Sequence, residues 1–257
     1  MSIPGGTPML RVEERAGVAV VELRHGKVNA QDLELLLLLA DTMDGLTDAA
    51  VVLTGAGSSF SAGVDLRRVV TGDDEHIDEF LTALSRALLA VFRHPRPVVA
   101  AVNGHAIAGG CVLAAAADVR LMSAGSIGLT ELRVGVPFPT AAIEIVRYAV
   151  GSTAHPLALF AQLHDPQEAQ AMGLIHGVCE PERLLDEAVD RATRLAAVAP
   201  ATFALTKRQL HAPAEARIAE RTGREDAEVR RLWKDADARA AISAFLAGLD
   251  SSAARRS

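Results

Sequence analysis

Short apolar, β-branched runs alternate with stretches of helical period along the first two thirds of the chain. Residues 18–23, Val18-Ala19-Val20-Val21-Glu22-Leu23, read as a strand. Asn29 then opens a helix over about 31–46, with Asp32 and Glu34 favourably placed in its first turn. Its leucine stretch leaves this helix apolar on nearly every side, so it demands cover from its own domain or from another subunit. A strand at 51–53 leads to a glycine turn, and a longer helix over 73–92 ends before His94-Pro95-Arg96-Pro97. A strand at 98–102 leads to a second glycine turn, a small-residue helix over 109–117 and two more strands at 118–122 and 126–129. From about residue 140 the pattern is helical, with strand-like residues only near Val178.

Repeated alternation of strand and helix predicts an α/β fold with parallel strands joined by crossovers. The helical C-terminal third exceeds what one covering layer needs, and reads as a packing or oligomerising module. The division expected is a core over 1–195 and a helical region over 196–257. No linker, low-complexity tract or internal repeat interrupts the 257 residues.

Composition narrows the function. Half the residues are hydrophobic but only 4% are aromatic, so the core is built from Ala, Val and Leu at close backbone spacing. A net charge of −6, with scattered cations, argues against a nucleic-acid surface. Cys111 and Cys179 are too few for a disulfide framework, and Cys111 beside Gly109-Gly110 suits a small buried filler. Residues 1–8 carry neither a basic nor an apolar leader region, and the greasy run at 33–40 is too short to span a bilayer. A cytoplasmic location without a membrane partner is expected. His25, His94, His105, His155, His164, His176 and His211 are dispersed, which predicts no metal site, and His105 reads as a packed or hydrogen-bonded histidine. Gly55-Ala56-Gly57 lacks the third glycine of a dinucleotide fingerprint.

The two glycine turns carry the chemistry. Ser61-Ala62-Gly63-Val64-Asp65-Leu66 and Asn103-Gly104-His105-Ala106-Ile107-Ala108-Gly109-Gly110 each follow a strand-like run and lead into helix. A glycine at such a junction lets the backbone turn sharply and frees amide N–H groups. Two such turns side by side aim two donors at one oxygen, the arrangement of an oxyanion hole. An enolate or a tetrahedral oxyanion is the species implied.

These motifs resemble those of the crotonase, or enoyl-CoA hydratase/isomerase, superfamily. The resemblance rests on Phe60-Ser61-Ala62-Gly63-Val64-Asp65-Leu66, Ala101-Val102-Asn103-Gly104, Ala108-Gly109-Gly110-Cys111 and Ala117-Asp118-Val119-Arg120. It continues through Ile127-Gly128-Leu129-Thr130-Glu131, Gly135-Val136-Pro137 and Ala169-Gln170-Ala171-Met172-Gly173-Leu174-Ile175, in the family's order from about residue 10 to 210. It implies a crotonase-type ββα spiral with a helical C-terminal oligomerisation region, assembled as a homotrimer or homohexamer. It also implies an acyl-CoA thioester as substrate, with no separate cofactor.

Residue by residue, the resemblance puts the oxyanion donors on Val64 and Gly109 and an acid/base carboxylate on Glu131. The family's first hydratase glutamate falls at Val112, where this chain has no acid. The coenzyme A contacts fall on Lys27-Val28-Asn29-Ala30 and on Ala62 through Arg67, with Lys27 and Arg67 as phosphate partners and Val28, Ala62 and Leu66 along the substrate. Asp65 belongs to that segment, though its short acceptor also suits a helix cap. Glu144 is a candidate substitute acid, but it reads rather as a helix-surface charge. Acyl-pocket walls are expected around 73–80 and 134–140.

Moving a double bond from the 3,4 to the 2,3 position needs one base, whereas hydration usually divides its proton transfers between two carboxylates. A lone Glu131 therefore favours a Δ3-Δ2 enoyl-CoA isomerase. The alternatives are a hydratase with a modified site and an acyl-CoA binder without turnover.

Overall fold

A computed structural model describes residues 9–254. Strands β1 (Leu10–Arg15) and β2 (Val18–Leu23) form an antiparallel hairpin. Helix α1 (Leu33–Gly45) follows, capped by Asp32, whose carboxylate accepts the Leu35 N–H at 2.9 Å. It starts two residues later than the sequence pattern suggests, because Gln31 pairs in extended form with Val64.

Three ββα turns follow. The first comprises β3 (Ala50–Gly55), β4 (Ser59–Ser61), α2 (Leu66–Thr71) and α3 (Asp74–Phe92). The second comprises β5 (Val98–Val102), β6 (His105–Ile107) and α4 (Gly109–Ala115), and the third β7 (Val119–Met122), β8 (Ile127–Gly128) and α5 (Glu131–Val134). The first strand of each turn enters a six-stranded sheet of order β1-β2-β3-β5-β7-β9, parallel except at β1. The second strand enters a small parallel sheet of order β4-β6-β8. The two sheets thus climb together, one step per turn, and each step leaves a strand-to-helix junction at the same edge.

The remaining elements are α6 (Thr140–Val150), α7 (Ala154–Phe160), α8 (Pro166–Ala171), β9 (Gly177–Val178), α9 (Leu184–Ala196), α10 (Pro200–Lys234) and α11 (Ala236–Ala254). The large sheet is covered on both faces, as its nearly continuous apolar strands require. Along β3, Val51 and Leu53 face the main core with α1 and α3, while Ala50 and Val52 face Leu184, Ala188 and Ala192 of α9. Period-two alternation thus serves two separate apolar layers.

Two readings of the sequence, the cover of α1 and the place of Glu144, meet the structure here, and the second needs correction. Helix α1 is not enclosed by its own chain: Leu35, Leu36 and Leu39 are buried, but Leu37 and Leu38 remain 40% and 37% exposed. Glu144 is not a surface charge. It is wholly buried in α6 and bound by Arg217 at 2.5 Å, Arg221 at 2.9 Å and Arg147 at 3.1 Å. Two of those arginines lie on α10, so this carboxylate ties the C-terminal region to the core. A charge so enclosed persists only with partners of this kind.

Helix α10 also packs on α3, and α11 folds back onto α2 and α5. Arg239 of α11 donates to the carbonyls of Val70 and Gly72 at 3.2 and 2.8 Å, covering the open C-terminal end of α2. The lone tryptophan, Trp233, donates its indole N–H to the Pro137 carbonyl at 2.9 Å.

Candidate active site

The two glycine turns meet at the junction edge of the first and second ββα units. Gly63 has φ +83°, and a Cβ there would lie 2.6 Å from the Ile107 carbonyl oxygen and 3.2 Å from the Gly109 nitrogen. Only glycine suits both the left-handed backbone and the contact. Ala108, the residue before α4, holds φ 51° and ψ −120°, a costly conformation for a residue with a Cβ. It is held there by its N–H, which donates to the Gly128 carbonyl at 2.8 Å.

Neither the Val64 nor the Gly109 N–H is committed to a backbone acceptor among the described residues. Gly109 opens α4, where an unpaired N–H is the rule and the helix dipole adds positive potential. Val64 has its neighbours pinned instead. The Gln31 N–H donates to the Gly63 carbonyl at 2.7 Å, and the Asp65 N–H donates to the Gln31 carbonyl at 2.9 Å. Two uncommitted N–H donors thus sit on fixed backbone, the kind of preorganisation that an oxyanion would need.

Both residues line a cavity of about 220 Å³. Its walls include Leu66, Leu84, Leu88, Val112, Val136, Phe138, Trp233, Phe245 and Leu249. The stretch 134–140 contributes as expected, but 73–80 does not: the α3 residues that reach the pocket are Leu84 and Leu88, one and two turns farther along. Walls from α10 and α11 were not expected. Phe245 and Leu249 stand four residues apart on one helix face, a pattern visible in the sequence but not distinguishable there from ordinary core packing.

Among the described residues, Glu131 is the sole ionisable one that lines it. It begins α5, and its Oε2 is shielded from solvent with no hydrogen-bond partner among the described residues. Burial raises its pKa to about 7, partly countered by the backbone amides of Glu131 and Thr130. Such a group exchanges protons readily near neutrality. Arg133 forms no ion pair with it. Val112, in the first turn of α4, is 1% exposed and presents its side chain to the same cavity.

The expected coenzyme A contacts spread outward from this point. Lys27 and Val28 are exposed, and the Val28 carbonyl accepts the Ala62 N–H at 3.0 Å, so the two segments lie side by side. Asp65 caps α2, accepting the Arg67 and Arg68 N–H groups at 3.1 and 3.3 Å. Leu66 lies inside the pocket wall, while Arg67 points away to an ion pair with Asp250 of α11 at 2.5 Å. Cys111 is fully buried and burial pushes its thiol well above the ordinary range, as befits a filler. His105 is exposed and bonded through Nδ1 to the Ser126 hydroxyl at 3.0 Å. No cluster of metal-ligating side chains occurs among the described residues. No described helix is long and apolar enough to cross a membrane.

A ββα spiral whose first two junctions supply paired amide donors over an apolar pocket with one carboxylate defines a crotonase-fold enzyme. The chain belongs to the enoyl-CoA hydratase/isomerase family, whose family model matches residues 13–251. It is 37% identical over 207 residues to a Thermus thermophilus protein named "Putative enoyl-CoA hydratase", covering 77% of this chain and 81% of the relative. Among solved structures, a probable enoyl-CoA hydratase, EchA3, from Mycobacterium tuberculosis superposes with a TM-score of 0.80 at 29% identity, covering 86% of this chain and 96% of that one. Human mitochondrial delta3-delta2-enoyl-CoA isomerase shares the fold with a TM-score of 0.88 at 24% identity, covering 95% and 99% of the two chains.

Proposed function

We propose that this protein is a Δ3-Δ2 enoyl-CoA isomerase that works with Glu131 as its single acid/base group. The observation that supports this is the lining of the pocket, where Glu131 is the one ionisable group among the described residues that can take and return a proton. The thioester oxygen of a 3-enoyl-CoA accepts the N–H groups of Val64 and Gly109, which acidifies the C2 protons. Glu131, as carboxylate, removes one. The electron pair delocalises over a dienolate whose negative oxygen stays in the hole. Glu131, now protonated, donates to C4, leaving the double bond between C2 and C3 and regenerating the carboxylate. No water is consumed, and the apolar walls keep water from quenching the dienolate.

Hydration needs a water placed against C3 and, in the usual division of labour, a second carboxylate. Val112 offers neither a proton acceptor nor a water ligand. The names of the relatives support hydratase as the second reading. Comparing turnover of 3-enoyl-CoA and 2-enoyl-CoA by the purified protein decides between them. Faster isomerisation supports the proposal, and faster hydration of 2-enoyl-CoA overturns it. Binding of both without turnover would leave an acyl-CoA binder.

The assembly expected is a homotrimer or homohexamer. Exposed Leu37, Leu159, Phe160, Leu205 and Leu210 support burial against further copies. A sedimenting monomer at micromolar concentration would remove that claim.

A further inference from the structure

Gln31 connects the two oxyanion turns. Its main chain straps the first one, through the bonds to Gly63 and Asp65 at 2.7 and 2.9 Å that hold Val64 between them. Its side chain reaches the second one: Oε1 lies 2.4 Å from the position a Cβ on Gly109 would take. The residue is 2% exposed, and both Oε1 and Nε2 are shielded from solvent with no hydrogen-bond partner among the described residues. Leaving both ends of a carboxamide unpaired in the interior costs stability that leucine, of similar size, would not. Fold stability therefore gives no reason for an amide here. Its contact with the site does.

We propose that Gln31 is a positioning residue of the oxyanion hole, fixing Val64 through its main chain while its carboxamide braces Gly109 and sets a neutral dipole beside the enolate oxygen. The inference rests on the enolate chemistry proposed above. Turned with its Nε2 end toward the thioester oxygen, the carboxamide meets the developing negative charge with the positive end of its dipole, which an apolar side chain cannot do and a carboxylate in the same place would oppose. The absence of Cβ on Gly109 is what leaves room for the carboxamide.

Gln31→Leu keeps the bulk and removes the dipole, and Gln31→Glu keeps the shape and adds charge. The full-length protein and both variants are compared by thermal melting and by kcat and KM on a 3-enoyl-CoA. A further readout is the fraction of bound acetoacetyl-CoA held as enolate, from its near-ultraviolet absorbance. Gln31→Leu is expected to melt at or above the wild-type temperature, with KM changed by less than about twofold and kcat lowered roughly tenfold, less than loss of an oxyanion donor itself causes. The enolate fraction should fall with kcat, and fall further in Gln31→Glu. A folded Gln31→Leu with wild-type kcat and enolate band would overturn the inference, reducing the side chain to space-filling. Should these variants fail to fold, Gln31→Met, flexible and apolar, carries the same two outcomes. A wild-type protein with neither turnover nor an enolate band would instead defeat the enolate reading itself, a result recognisable before any variant is made.

Discussion

Gly63 and Gly109 touch backbone to backbone, so closely that a Cβ on Gly63 would stand 3.2 Å from the Gly109 nitrogen. This contact sets the spacing of the two proposed oxyanion donors, because Val64 follows Gly63 directly and Gly109 is the other. Gly63→Ala is expected to cost about 1–2 kcal/mol for the left-handed backbone alone. The clash with the Ile107 carbonyl comes on top. Denaturant melts should show that loss, and kcat should fall more than tenfold, in line with displacement of a donor. A variant with wild-type kcat would show that the donors lie elsewhere.

Glu131→Gln removes the proton acceptor and keeps the shape. Turnover should drop by about 10²–10⁴-fold, the usual contribution of general acid/base catalysis. Affinity for a saturated acyl-CoA, measured by calorimetry, should change little, because the hole and the apolar walls are untouched.

The same carboxylate makes activity and stability respond to pH in opposite senses. Its folded pKa of about 7 lies above the ordinary 4.5, so the folded state holds the proton more tightly than the unfolded one. The stabilising contribution of the neutral acid is full below about 4.5 and is lost as pH rises to 7. Linkage gives a loss of order 3 kcal/mol across that window. The log of kcat/KM should rise with pH and level off near 7, as the base form fills. Glu131→Gln should flatten the stability profile and be more stable than wild type above neutrality. A wild-type activity midpoint near pH 4.5 would mean that the carboxylate is solvated.

Val112→Glu tests what limits hydration. The side chain would enter the pocket, but without hydrogen-bond partners its charged form is disfavoured and the fold loses stability. A severalfold rise in hydration of a short 2-enoyl-CoA is expected, abolished by adding Glu131→Gln. A folded variant with no gain would show a pocket shaped for other chemistry.

Glu144→Ala should unfold the protein more easily without touching the chemistry. Removing this wholly buried acid strands Arg147, Arg217 and Arg221, each partly exposed and able to recover some solvation. A loss of about 3 kcal/mol follows, at the lower end for breaking a buried pair. Below the melting transition, KM for short substrates should stay near wild type.

The glycine turns and Glu131 are legible in the sequence because their chemistry is local. Gly63, Gly109 and the apolar strands before them announce a strand-to-helix junction within a few residues, and two such junctions among alternating strands and helices point to the α/β fold. Asp65 and Asp73 read as helix starts for the same reason, and both cap helices. Glu144 was misjudged because its partners on α10 lie more than seventy residues away. Helical spacing around it gives no sign of them. Trp233, Phe245 and Leu249 escaped as pocket walls because an apolar helix face looks alike over a core and over a cavity. Gln31 carried one faint signal, a polar residue just before a leucine-rich helix, which passes for an ordinary first turn.

The pocket draws its walls from segments far apart along the described chain, Ala62 and Val64 on one side and Phe245 and Leu249 on the other. A ribosome delivers these groups far apart in time. At about 5–20 residues per second, the first turn emerges on the order of ten seconds or more before α11. During that interval the spiral can wind and its two turns can meet, but no closed cavity exists for an acyl chain. Substrate therefore cannot stabilise the nascent protein, and the spiral must hold together unaided until the last helix lies down.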